Sequence, residues 1–96
     1  MAGSTHNKNY QLFLALLREA REIAEMPQRQ LGEKLGNTQT FVSKMERGER
    51  RIDVVEFVEI CDALEADPIE FLREYLLERS KHSAPKSRSR KRTLRR

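Results

Sequence analysis

Apolar residues in this chain recur at helical spacing and nowhere alternate over a run that turn signals bound. In YQLFLALLREAREIAE, residues 10 to 25, Leu12, Phe13, Leu16, Leu17, Ala20, Ile23 and Ala24 fall one or four apart, along one side of a helix. Met26-Pro27 predicts its end, because a residue before proline is pushed out of the helical region. In the following QRQLGEKLG, Leu31 and Leu35 lie one turn apart and Gly36 takes positive φ without strain. A second helix of about two turns, closed by that glycine, is expected. Thr38 is then the natural N-cap of a third helix, Gln39 to about Arg47, which Gly48 terminates.

Two S/T/D-x-x-E/Q-like capping boxes mark what comes next. Asp53 with Glu56 opens a fourth helix carrying Val54, Val55, Phe57, Val58, Ile60, Cys61 and Leu64. Asp67 with Glu70, and Pro68 at the first helical position, opens a fifth with Ile69, Phe71, Leu72, Tyr75, Leu76 and Leu77. VVEFVEI has the composition of a strand, but its capping box and its continuation to Leu64 favour helix. The pattern predicts an all-α fold of five helices in one domain, residues 10–79, preceded by a flexible N-terminus, 1–9.

The third helix has too few apolar residues to be buried all round. Val42 and Met45 face a core, while Gln39, Thr40, Ser43 and Lys44 form a polar face. With Leu31, Gly32, Leu35 and Gly36 upstream, the second and third helices have the form of a helix-turn-helix, in which Gly32 permits close approach and Gly36 makes the turn. The polar face suits DNA: glutamine can be bidentate to adenine, and lysine reaches guanine or phosphate.

Charge sharpens this picture. The net charge of +4 conceals a gradient, with residues 1–51 at +3, residues 52–79 at −7, and residues 80–96 carrying eight positive charges and no acid. A basic working face with an acidic opposite end is expected. The segment SKHSAPKSRSRKRTLRR, 80–96, has no apolar period and is expected to be a disordered, phosphate-binding basic tail.

Other chemistry finds no support. His6 and His82 stand alone near the ends, no GxxxxGK or GxGxxG occurs, and the carboxylates lie at caps or at helical spacing. Neither enzyme, metal site nor cofactor is expected. Cys61, the single cysteine, reads as a core residue and permits no disulfide. The longest apolar run is far too short to span a membrane, and MAGSTHNKN has no signal-peptide core, so a cytoplasmic protein is expected. The opening MAGS reads as a cloning remnant and carries no part of the fold argument.

These residues together resemble the helix-turn-helix of lambdoid phage repressors and Cro proteins, the Cro/C1-type or XRE family. The resemblance runs through RxxRE at 18–22, Gln28, LGEKLG at 31–36, TQTFVSKMERGER at 38–50 and DVVEFVEICDALEADPIEFL at 53–72. It implies a lambda-repressor-like DNA-binding domain. Gln28 would hold a phosphate and buttress Gln39, and Thr38, Gln39, Thr40, Ser43 and Lys44 would meet the DNA. Arg47, Arg50 and Arg51 would contact phosphates beside the reading helix. Arg21 and Glu46 would form a structural ion pair. Two positions depart from the pattern: Pro27 replaces a capping Ser or Thr, and Asn37 stands where an apolar turn residue is common.

One reading helix gives a small interface, so a homodimer on a palindromic double-stranded site is expected. Phe71, Leu72, Tyr75 and Leu76 are its candidate contacts. The reading is therefore a nucleoid-associated transcriptional regulator, acting as a repressor. The rival is an antitoxin that binds a toxin through its acidic helices or its tail while repressing its own promoter. An RNA-binding module ranks last, because only Tyr10 and Phe41 could serve as stacking platforms.

Overall fold

The structure is a computed structural model that describes residues 7–81. Its five helices are α1 (Lys8–Ile23), α2 (Gln28–Lys34), α3 (Gln39–Glu46), α4 (Val54–Leu64) and α5 (Pro68–Lys81). All five predicted helices are present, and no strand occurs among the described residues. The first begins before its apolar pattern does, because the Asn7 side chain accepts from the amides of Asn9 and Tyr10 at 2.8 and 3.1 Å. Lys8 and Asn9 therefore belong to the helix and not to a flexible N-terminus. At the other end α5 takes in Ser80 and Lys81, with Ser80 Oγ donating to the Leu77 carbonyl and Lys81 pairing with Glu78. The rest of the expected basic tail, residues 82–96, lies outside the described residues.

Four helices stop in the same way. In each, an amide reaches back five residues: Met26 to Arg21, Asn37 to Gly32, Glu49 to Lys44 and Ala66 to Cys61, at 2.8–3.1 Å. The residue before that amide sits in the left-handed region: Glu25, Gly36, Gly48 and Glu65. This double closure satisfies carbonyls that a helix end otherwise leaves without partners. It corrects the expected end of α1, which closes at Ile23 through Glu25 before the backbone restriction imposed by Pro27 acts.

Starts vary more. Asp53 and Glu56 form the full reciprocal box at α4. At α5 the box is only half made: Asp67 accepts from Ile69 and Glu70, while the Glu70 carboxylate pairs with Arg73. Pro27 begins α2 without a side-chain cap, as its missing oxygen dictates.

The core draws on every helix: Leu16 and Leu17, Leu31, Val42 and Met45, Phe57, Ile60, Cys61 and Leu64, and Phe71. Phe13 binds the ends of this cluster, its ring 5.4 Å from Phe57, 5.6 Å from Phe71 and 6.0 Å from Tyr75. Edge and tilted contacts of this kind add to area burial. Two positions on α1 depart from the periodic expectation. Ile23, at the last turn, is exposed, and Leu14 is buried. Leu14 lies two turns before Arg21, on the side of α1 that meets α3. Cys61 is in the core, where burial, followed by the charges of Asp62 and Asp67, pushes its thiol up to about 11. It is a neutral apolar filler at physiological pH.

The pairing of α2 with α3 rests on two glycines that act differently. A Cβ on Gly32 would lie 2.6 Å from the Thr38 carbonyl oxygen and 2.7 Å from its carbon, so α2 meets the start of α3 backbone to backbone. A Cβ on Gly36 would meet nothing, and only its φ of +68° requires glycine. Gly32→Ala should therefore destabilise by roughly 1–3 kcal/mol through overpacking, against about 1 kcal/mol for Gly36→Ala from backbone strain. Urea unfolding midpoints of the two variants measure the difference.

Candidate nucleic-acid interface

Along α3 the 100° step between residues separates two faces. Val42 and Met45 are 0% and 1% exposed and lie in the core. Gln39, Thr40, Lys44 and Arg47 are exposed, with Ser43 half-buried between them. Thr38 caps the helix, its Oγ1 accepting from the Phe41 amide at 3.1 Å, as its sequence position predicts. Its hydroxyl oxygen accepts at the helix start and keeps its proton to donate.

Beneath this face runs a chain of polar contacts that joins three helices. Arg21 on α1 donates twice to the Glu46 carboxylate, at 2.7 and 3.1 Å, and once to the Met26 carbonyl at 2.9 Å. Gln28, at the start of α2, donates to Glu46 Oε1 at 2.9 Å and accepts from Gln39 Nε2 at 3.5 Å. The side chains of Arg21 and Glu46 are only 12% and 7% exposed. A bidentate guanidinium–carboxylate pair this well enclosed holds its geometry, because every alternative leaves a charge out of water without a partner. The expected buttress of Gln39 by Gln28 is thus present, and it is itself anchored to the ion pair.

The basic residues around the face are in different states. Arg47, the C-cap of α3, pairs with Glu49 at 2.9 and 3.1 Å and also donates to Ser43 Oγ. The Arg47–Glu49 hydrogen bond, followed by the charges of the two groups, pushes the Arg47 pKa up and holds the Glu49 carboxyl below its usual range. Both groups are exposed, so the pair adds little to stability. Lys44 has no ion-pair partner among the described residues. Arg51 lies over the Tyr10 ring, 4.2 Å from its centroid, and Tyr10 Oη accepts from the Ile52 amide at 3.3 Å. Arg50 is engaged within the chain: its guanidinium is held by Glu56 and stacks on Phe41.

Sequence reading missed Tyr10, Phe41 and Glu56 as supports of the interface. Of these only Glu56 carried a signal, its place in the capping box. Tyr10 and Phe41, the two possible stacking platforms for single-stranded RNA, are half-buried beneath arginines. Of the expected dimer contacts, Phe71 is in the core and Tyr75 is half-buried against Phe13 within the chain. Leu72 and Leu76 remain exposed, at 38% and 52%. Among the described residues no group of His, Cys, Asp and Glu could hold a metal ion, and no helix is long and apolar enough to cross a membrane.

Two short helices locked at a glycine contact, the second with a polar outward face and a braced root, define a helix-turn-helix domain. The helix-turn-helix family profile matches residues 17–71, more than half of the chain. Among solved structures, the chain is similar to an XRE-family like protein from Pseudomonas syringae pv. tomato str. DC3000. The two share 42% identity and a TM-score of 0.72, covering 79% of this chain and 93% of that one. Comparison with curated proteins gives no match. The chain belongs to the XRE family of helix-turn-helix proteins, whose members are DNA-binding transcription regulators.

The buried ion pair gives this site its clearest test. Glu46→Ala leaves Arg21 without its carboxylate and Gln28 without its acceptor, and should cost roughly 3–5 kcal/mol. Arg21→Met/Glu46→Leu should cost less than that single change, because no charge is left buried. Chemical denaturation of the three proteins measures the order.

Proposed function

We propose that this protein is a homodimeric repressor that reads a palindromic DNA site with α3. The observation that carries the reading is the outward face of Gln39, Thr40, Ser43 and Lys44, with Gln39 tethered through Gln28 to the Arg21–Glu46 pair. A side chain whose terminal amide is already oriented loses less freedom on contacting a base, which favours sequence reading over loose phosphate binding. Gln39 and Lys44 contact base edges, Thr38, Thr40 and Ser43 contact bases or backbone, and Gln28, Arg47 and Arg51 contact phosphates. Residues 82–96 add sequence-independent phosphate contacts. The protein works on the nucleoid, in the cytoplasm.

Two copies are needed because one helix covers too few base pairs. Half-sites one helical turn apart, about 34 Å, match a two-fold dimer. Leu72 and Leu76 on α5, with Ile69 beside them, supply its apolar contact, since all three are exposed in the single chain. In this arrangement repression follows from occupancy alone, set by the concentration of the protein.

Selection of bound duplexes from a random library at about 150 mM salt, where screening is short-ranged, tests the reading. The expected outcome is an enriched inverted repeat that Gln39→Ala/Lys44→Ala fails to select. Salt-sensitive binding without enrichment overturns it in favour of binding by the basic tail. Leu72→Glu/Leu76→Glu should convert the dimer to a folded monomer in sedimentation velocity. A dimer that survives those changes would remove α5 as the interface, and a copurifying second protein would favour the antitoxin reading.

A further inference from the structure

Arg50 and Arg51 are neighbours with opposite commitments. Arg50 donates both terminal nitrogens to the Glu56 carboxylate, at 3.0 and 2.9 Å, and its guanidinium carbon stands 4.8 Å from the centroid of the Phe41 ring. It also donates to the Arg51 carbonyl. Phe41 belongs to α3 and Glu56 to the first turn of α4, so one side chain spans the reading helix, the loop and the next helix. Glu56 has a second duty, since its Oε1 also accepts from the Asp53 amide at 2.9 Å in the capping box. The box that starts α4 and the clamp on α3 therefore share one carboxylate. Arg51 points away to Tyr10 and has no ion-pair partner among the described residues.

Isolated surface ion pairs stabilise little, but this one is bidentate, stacked on an aromatic face and tied to a cap, which is where such pairs gain. Its location also argues against phosphate binding. A phosphate drawn to Arg50 would stand beside the Glu56 carboxylate and would have to displace it.

We infer that Arg50 is a positioning residue for DNA reading: with Glu56 and Phe41 it sets how α3 and the Arg51 loop stand against α4, and it does not itself contact a phosphate. The inference rests on the DNA-binding function proposed above and names a specificity determinant that lies outside the reading face.

The test measures affinity of Arg50→Ala, Arg50→Lys and Glu56→Gln for the selected site and for unrelated duplex across a salt series, with thermal midpoints in parallel. Glu56→Gln keeps an acceptor for Asp53 but loses the charge. Positioning predicts a roughly tenfold loss at the selected site for all three variants, with little change on unrelated DNA and an unchanged salt slope. Arg50→Lys, which keeps the charge and remains folded, should be as poor as Arg50→Ala, because lysine lacks the planar fork. A phosphate contact predicts the reverse: Arg50→Lys near wild type, Arg50→Ala with a salt slope reduced by about one, and Glu56→Gln binding all DNA more tightly. That pattern overturns the inference and leaves the function standing. Losses equal on both DNAs that follow the thermal midpoints also overturn it, in favour of a purely stabilising pair. A wild-type protein that selects no site overturns the function and the inference together.

Discussion

Glu46 is the last residue of α3, where the helix dipole makes a negative charge unfavourable. The Arg21 guanidinium offsets that penalty. Because the pair is nearly enclosed, the chain must hold α1 and the end of α3 at one fixed separation or leave a charge stranded. Gln28 then takes the remaining capacity of Glu46 Oε1, which places the start of α2 against the end of α3. The orientation of the reading face follows from that triangle, with Gln39 attached to it from outside.

Packing supplies a second and independent lock. The absence of a side chain at Gly32 brings α2 against the Thr38 carbonyl, so the angle between the two short helices is set by backbone contact at one end and by the Gln28–Glu46 hydrogen bond at the other. Neither helix is long enough to be stable alone. Their ends are secured instead by the same five-residue closure that finishes α1 and α4, so most of each helix is either a cap or a core contact.

The helices and the turn were legible because their signals are local: apolar spacing, a glycine after each short helix, and Asp or Thr at the starts. What failed was whatever depends on another element. Glu25 and Glu65 adopt left-handed conformations that no residue preference suggests, since the closing hydrogen bonds and following contacts impose them. Phe71 and Tyr75 share a helical spacing with Leu72 and Leu76, and the inward pair is set by rings from other helices, Phe13 of α1 and Phe57 of α4. Ring stacking hides the difference between Arg50 and Arg51 in the same way. Adjacent arginines read alike until Phe41 and Tyr10, far apart in sequence, are brought beneath them. The ion pair of Arg21 with Glu46 was legible only through family resemblance, as 25 residues separate its members.

Thr40 and Lys44, on the polar face of α3, contribute almost nothing to holding the domain together. Thr40 and Lys44 are exposed, and the bonds that fix the helix belong to Thr38, Val42, Met45 and Glu46. Changes at such surface positions fall within about 0.5 kcal/mol of neutral. Under the proposed function, recognition and folding are written in alternate letters of one short word. A descendant of this chain would then acquire a new DNA address by drifting through Thr40 and Lys44 without crossing a stretch of unstable intermediates, and two copies in one genome would diverge in target while remaining the same fold.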